Sequence, residues 1–431
     1  MSPARCGIIG LVRVGWTRTD DRLEFKIRLD PGEDTTGIGQ GGRQVTLVTD
    51  RCTFKLPVDI EGTHPDVMAL AAVCIVAPWL KSTIRFDEAI SPGFAAALER
   101  GFGVDSGPID GDVEARKTSH RAGLSYSGGA DSMCVSELLR RDTPHIHLRR
   151  TRHPRVPNRA THYRADVAAA LVVEAANRAR SVHIVETDLE FLVGPFPMYP
   201  EWTTIGIGCV LLADRLDLGA AAFGTVMGSR YLSNGYRYQP VPAEDRWEAI
   251  FAAAGLPFLR PACGLTEVST VAIAHASDLS DLVRSCALGG LDGPCLNCKK
   301  CVRKELTMAG IERRPLDEML VRNVEANDAV LAEFAKPPPY YFQHVLEFGL
   351  ARAVGIEDTF LGHAKVALRP TFATTDWATK FYPAALTHDV PEPLRAAMDS
   401  AIAARVVTMT PSEVEIVETW DAASRSHLGL G

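Results

Sequence analysis

Residues 124–139, LSYSGGADSMCVSELL, restrict what this chain can fold into more than any other stretch. Leu124 and Tyr126 alternate as in a short buried strand, read as residues 122–127. Ser127, Gly128, Gly129, Ala130, Asp131 and Ser132 then form a loop of small residues. A helix is predicted over 133–141, with Met133, Val135, Leu138 and Leu139 turned inward. A strand, a glycine loop and a helix start, in that order, make an anion cradle. Adjacent glycines let backbone approach a ligand closely, and unpaired N–H groups with the helix dipole favour negative charge. Ser127 and Ser132 add hydroxyl donors, and Asp131 is placed to hold Mg2+ against phosphate oxygens. No Gly-Lys-Ser/Thr follows, so this is not a Walker loop.

The surrounding chain reads as an α/β protein in three parts. Its 431 residues suggest two or three domains, and 46% hydrophobic with 23% charged residues is ordinary for a globular core. Lys and Arg number 46 against 53 Asp and Glu, a net charge of −7 that argues against a nucleic-acid partner. The start, MSPARCGIIGLV, has neither the basic region nor the long apolar core of a secretion signal. The longest apolar run, 67–80, contains Pro78 and is too short to span a membrane, so a buried helix is expected there.

Residues 1–115 are expected to form an N-terminal α+β domain. Strands are predicted at 6–14, 23–29, 44–49, 53–58 and 84–86, a helix opening at Thr63-His64-Pro65-Asp66 with a hydroxyl cap, and another at 92–100. Gly37-Ile38-Gly39-Gln40-Gly41-Gly42 lacks the strand-to-helix setting of a dinucleotide fingerprint and reads as a turn. Glycine-rich 101–111 and charged 112–121 read as a linker.

From residue 116 to 310, strands and helices alternate, which implies a parallel sheet with helices on its faces. Strands are predicted at 145–148, 181–187 and 220–225, and helices at 159–180 and 203–216. Ligands of such sheets sit beyond the carboxyl ends of the strands, so the glycine loop, the segments after Leu148 and Asp188, and residues 224–230 should share one crevice. Residues 140–164 hold eight arginines and four histidines, either a solvated basic face or a lure for ATP or an acidic partner. Residues 231–238, YLSNGYRY, either stack on a planar base or pack as surface loop. Thr266 should cap a helix running to His275.

Cys286, Cys295, Cys298 and Cys301 follow with C-x8-C-x2-C-x2-C spacing. Four thiolates close a tetrahedral structural zinc site, although this spacing also suits an iron–sulfur cluster, and free thiols are a third possibility. Crowding four of ten cysteines into one segment points to a metal site in a reducing, cytoplasmic compartment rather than to disulfides. Residues 311–431 read as a helical region, with helices at 313–333, 341–354, 391–404 and 411–423 and isolated His344, His363 and His388 as structural or exposed side chains.

The hexapeptide Ser127–Ser132 matches SGGxDS, the signature of the PP-loop ATP pyrophosphatases, a match expected by accident in roughly one chain in a thousand of this length. With the four cysteines about 155 residues later, residues 122–310 resemble the 7-cyano-7-deazaguanine synthase family. The resemblance implies an adenine nucleotide alpha hydrolase-like, Rossmann-like fold. It further implies that Ser127, Gly128, Gly129, Ala130, Asp131 and Ser132 bind ATP, joined by Gly224 from its place at the end of its strand, and that the four cysteines bind Zn2+. The implied reaction is adenylation of a small carboxylate, such as a deazapurine acid, with release of pyrophosphate, followed by attack of ammonia or an amine. Ser127, Asp131 and Ser132 would serve that step, and a homodimer is one expected assembly. This chain departs from the family at Leu265-Thr266-Glu267, where Thr-Lys is usual, and at residues 199–204, YPEWTT, where Pro-Gly-Arg-Asn is usual. Two other readings are a PP-loop tRNA-thiolating enzyme and a non-catalytic subunit that binds a nucleotide or base.

Overall fold

The computed structural model describes residues 10–19, 21–30, 34–39, 42–152, 164–178, 180–241, 245–286, 288–369, 371 and 375–427. Its N-terminal strands alternate buried and exposed positions as half-covered strands must. β1 (Leu11–Thr19) and β2 (Arg22–Leu29) pair antiparallel, turning Val12, Val14 and Trp16 inward with Leu23, Phe25 and Ile27. β3 (Thr36–Ile38) and β4 (Gln44–Leu47) form a short hairpin, and β5 (Arg51–Lys55) returns beside β2. Of the glycine-rich 37–42 segment, Gly37 and Ile38 belong to β3 itself rather than to a turn, and Gln40 and Gly41 lie outside the described residues. So does the first part of the strand predicted at 6–14, Cys6 included.

α1 (Pro65–Val76) is the buried helix expected from the apolar run, with every residue from Asp66 to Val76 inside. Its cap is not the predicted hydroxyl. Thr63 Oγ1 donates to the Ile60 carbonyl at 2.6 Å, and His64 Nδ1 accepts from the Asp66 amide at 3.2 Å instead. β6 (Thr83–Ile90) runs parallel to β1, α2 (Pro92–Phe102) follows, and β7 (Asp105–Ile109) runs parallel to β6. The predicted linker therefore contains a strand. Its charged half is also fixed: buried Arg116 donates to Asp214 at 2.5 Å and to the carbonyls of Gly255 and Leu218, both at 2.8 Å.

The second half winds β8 (Ala122–Ser125), α3 (Ala130–Leu138), β9 (His145–Arg150), α4 (Ala165–Asn177) and β10 (Val182–Thr187). β11 (Val193–Gly194) pairs with β4 and makes the hairpin a small three-stranded sheet. α5 (Ile207–Leu211), β12 (Ala220–Ala222), α6 (Met227–Arg230), α7 (Arg246–Ala253) and β13 (Phe258–Leu259) follow. The helix predicted at 159–180 is the shorter α4, and 159–163 lie outside the described residues. That predicted at 203–216 is a 3-10 turn leading into α5. β13 has no counterpart in the sequence reading.

One sheet of ten strands carries both halves, in the order β13-β12-β8-β9-β10-β5-β2-β1-β6-β7. The N-terminal strands extend it because β5 pairs antiparallel with β10 (Glu186 opposite Lys55), while Asp188 accepts from the Thr53 amide at 2.7 Å. From β13 to β10 all neighbours are parallel. Counted along the chain within that half, the order is that of a doubly wound sheet, reversing between β8 and β12.

α8 (Glu267–His275) and α9 (Lys299–Glu312) then cover the site. α10 (Glu318–Glu325), α11 (Asp328–Ala335), α12 (Gln343–Arg352), α13 (Gly362–Leu368), α14 (Ala384–Asp389), α15 (Arg395–Ala403), α16 (Pro411–Glu418) and α17 (Ala422–His427) complete a helical C-terminal region. The helix predicted at 313–333 divides because the Asn327 side chain caps α11. Trp377, Phe381, Tyr382 and Trp420 of this region share a core with Met133 of α3 and Val268 of α8, so it is packed onto the doubly wound half. No helix among the described residues is long and apolar enough to cross a membrane.

Candidate functional site

The reversal of strand order opens a cleft of about 820 Å3, and the glycine loop forms its floor. Gly128 adopts φ +77°, a left-handed conformation that costs a residue with a Cβ roughly 1–2 kcal/mol. Gly129 is the N-cap of α3, so the helix begins at Ala130, three residues before its predicted start. Ala130, Asp131 and Ser132 are thus the first turn of the helix rather than the end of a loop. Ser127 Oγ lies 3.1 Å from Ser132 Oγ, and Ser132 Oγ donates to the Gly129 carbonyl at 3.0 Å. The two hydroxyls hold the loop closed upon itself. Gly224, just beyond β12, presses on the same turn: a Cβ there would lie 3.0 Å from the Ser132 amide nitrogen. All seven residues expected to bind nucleotide are therefore gathered at the switch point, and six of them line the cleft, Ala130 excepted.

Charge around the cleft is one-sided. Eight arginines and lysines line it, against the carboxylates of Asp131, Asp245 and Glu267. Asp131 Oδ1 accepts from Thr270 Oγ1 at 2.7 Å and lies 3.7 Å from Lys304 Nζ. Both contacts bear on Oδ1 and leave Oδ2 as the acceptor for a cation such as magnesium. Glu267, the departure noted in the sequence, is buried and meets Arg303 Nε at 2.9 Å and Lys304 Nζ at 2.8 Å. Burial pushes its carboxyl up, but Lys304 and Arg303 together outweigh that and hold it down at about 2.

The basic 140–164 segment divides. Arg140 and Arg141 pair with Asp142 and Asp278 at the surface, Arg150 and Arg164 line the cleft, and 153–163 lie outside the described residues. Arg150 stacks on Tyr199 at 4.6 Å and pairs with buried Glu190 at 3.3 Å. The aromatic loop divides as well. Tyr231 is buried and donates to Asp389 Oδ2 at 2.5 Å, Tyr238 meets Tyr382, and of the loop only Asn234 reaches the cleft. Arg230 ends the 224–230 segment expected at the crevice and lines it, whereas Arg260, just beyond β13, has no counterpart in the sequence reading. They share Asp389 at 3.0 and 2.8 Å, and for Arg260 a position just past a strand end was the available signal. His145 is buried between Ser136 Oγ (2.7 Å) and the Thr143 carbonyl (2.8 Å), and burial lowers it to about 4.

The four cysteines converge as their spacing required. Their Sγ atoms all lie within 4.8 Å of one another, with separations of 3.2 Å (Cys286–Cys295), 3.8 Å (Cys286–Cys298), 3.7 Å (Cys295–Cys301) and 3.6 Å (Cys298–Cys301). A tetrahedral ion with metal–sulfur bonds of about 2.3 Å sets sulfurs about 3.8 Å apart, so the group can hold a metal such as zinc. Hydrogen bonding to Cys301 holds the Cys298 thiol below its ordinary value while Cys295 and Cys301 are pushed up, so the four thiols share their protons and binding a metal would have to release them. His344 is buried, whereas His363 and His388 are exposed, and none joins the cluster.

Fold and site together define a doubly wound α/β protein whose glycine loop opens into a cationic cleft walled by a four-cysteine lobe. Residues 246–421 match a family model described as a family of unknown function (DUF6395). That match takes in β13, the cysteine lobe and most of the C-terminal helices, and leaves out the glycine loop. No curated protein and no solved structure matches the chain.

Proposed function

We propose that the chain binds ATP in this cleft and spends it on adenylating a carboxylate, with AMP and pyrophosphate as the nucleotide products. One observation carries the reading: an SGGxDS loop lies at the switch point of a doubly wound sheet, inside a cleft rich in cations. Helix N-terminal amides, the Ser127 and Ser132 hydroxyls and the surrounding arginines and lysines suit a triphosphate. A carboxylate oxygen attacks the α-phosphorus, the bond to the β-phosphate breaks, and pyrophosphate leaves into the cradle. An amine or ammonia nitrogen then attacks the acyl carbon and AMP departs. Asp131 is the residue that would hold magnesium, which neutralises charge on the phosphates when bound. No side chain need act as nucleophile, so positioning and charge supply the rate. The resemblance to 7-cyano-7-deazaguanine synthase favours a deazapurine or related acid, and the departures at Glu267 and at residues 199–204, where Tyr199 and Trp202 line the cleft, favour an acid or amine of its own.

Exchange of labelled pyrophosphate into ATP, run across a panel of heterocyclic acids, tests this. The expected result is acid-dependent exchange with AMP as the spent nucleotide, reduced on the order of 100-fold or more in Asp131→Ala with unchanged circular dichroism. ADP as product, or full exchange in that variant, overturns the reading.

A further inference from the structure

The cysteine lobe does more than close the cleft; it is bonded to the glycine loop on both sides of the metal ligands. Arg284 N donates to the Gly128 carbonyl at 3.0 Å, and Ser285 Oγ accepts from the Ala130 amide at 3.2 Å. Ser285 immediately precedes Cys286 in the chain. Beyond the last ligand, Cys301, the first turns of α9 carry Lys304 to within 3.7 Å of Asp131. Three of the six loop residues are thus held by groups one to three positions from a cysteine of the cluster.

Ser285 has a second property. It lines the cleft, and because its oxygen accepts from Ala130, its own proton is directed elsewhere; among the described residues it donates to no atom. A hydroxyl tied at its acceptor side and open at its donor side, set against a helix N-terminus, is built to donate to an anionic oxygen. Lys304 is half of the same wall, its ammonium shared between Glu267 and Asp131.

We infer that Ser285 and Lys304 belong to the triphosphate pocket as positioning and binding residues contributed by the cysteine lobe, so that metal held by the four cysteines sets the affinity of the glycine loop for MgATP. This rests on the ATP reading given above. Cys286, Cys295, Cys298 and Cys301 would hold the metal, and their fixed spacing would set the depth at which Ser285 and α9 stand beside the loop. Without the metal, Ser285 and the Arg284 amide lose their register with Ala130 and Gly128.

Two readouts on the full-length protein test this: the MgATP dissociation constant, and hydrogen exchange of the backbone over residues 127–134. Each is measured on the zinc-loaded protein, on protein stripped with a chelator, and on Ser285→Ala and Ser285→Thr at verified zinc content. In Ser285→Ala, with zinc retained, MgATP should bind roughly tenfold more weakly and the loop amides should exchange faster, since a hydrogen bond to a charged group is lost along with the tether. Ser285→Thr, which keeps the hydroxyl, should restore both. Stripped protein should show the larger change in each. A zinc-loaded Ser285→Ala that binds MgATP like wild type, with the same loop exchange, overturns this inference alone. Wild-type protein that fails to bind MgATP at all overturns the ATP reading and this assignment with it.

Discussion

Glu267 shows how one residue can reverse a local charge and keep the site intact. Where the resemblance would place a lysine, this chain has a carboxylate, and Arg303 and Lys304 converge on it from α9. Removing one partner of a buried pair leaves the other charges uncompensated, typically at 3–5 kcal/mol. Glu267→Gln should therefore lower the unfolding free energy by about 3 kcal/mol, read as a shift in the denaturant midpoint. An unchanged midpoint would mean that the three groups are not the compensated cluster described. The carboxyl is held at about 2 in the fold, below its ordinary 4.5, so its contribution is complete above pH 4.5 and fades as pH falls toward 2. In Glu267→Gln that fading should vanish.

At the scale of elements, local patterns were legible and long-range pairings were not. The glycine loop, the Thr266 cap (its Oγ1 accepts from the Val268 amide at 3.0 Å) and the cysteine cluster each lie within a few turns of chain, where spacing alone fixes geometry. The join of β5 to β10 brings together residues some 130 positions apart, and nothing in either strand announces its neighbour. β7 was hidden by Gly103 and Gly107, which read as linker although Ser106 and Gly107 are buried. In sequence Asn327 reads as one more helical position, yet its side chain starts a new helix. The Glu267–Lys304 pair was illegible for the same reason as the sheet, since only the fold sets α9 against α8. The four cysteines can hold a metal such as zinc, and a structural ion contributes folding free energy, so Cys298→Ala should lose metal binding and several kcal/mol of stability with it. Metal analysis and thermal melting of the variant check this together; a variant melting like wild type would deny the lobe a structural metal.

Over the whole molecule, acid should weaken the fold through histidines buried in the neutral form. Burial lowers His145 to about 4 and His344 to about 3, and lowers His147 as well, whereas in the unfolded chain each titrates near 6.5. Below pH 6.5 the unfolded chain takes up protons that the folded one refuses, so stability is full above that value and falls with pH. Buried Glu201 and Glu347, raised by desolvation, oppose this trend at lower pH, where the fold takes up protons more readily than the unfolded chain. Of the three histidines, His344 isolates the effect best. Both its ring nitrogens are buried with no hydrogen-bond partner among the described residues, and its ring packs against Trp377 at 5.8 Å, Trp420 at 5.9 Å and Phe342 at 5.7 Å. A phenyl ring suits such a setting, so His344→Phe should fold normally and abolish one histidine's share of the pH dependence. Between pH 6.5 and pH 5 that share is about 2 kcal/mol, at 1.36 kcal/mol for each unit of pKa. Denaturant unfolding of both proteins at pH 7, 6 and 5 gives the comparison, and loss of metal on acidification cancels because both carry the same cysteines. As pH falls from 6.5 to 5, the variant should gain about that much stability relative to wild type. Parallel curves would show that His344 takes up its proton inside the fold, and that the core around Trp377 is open to water.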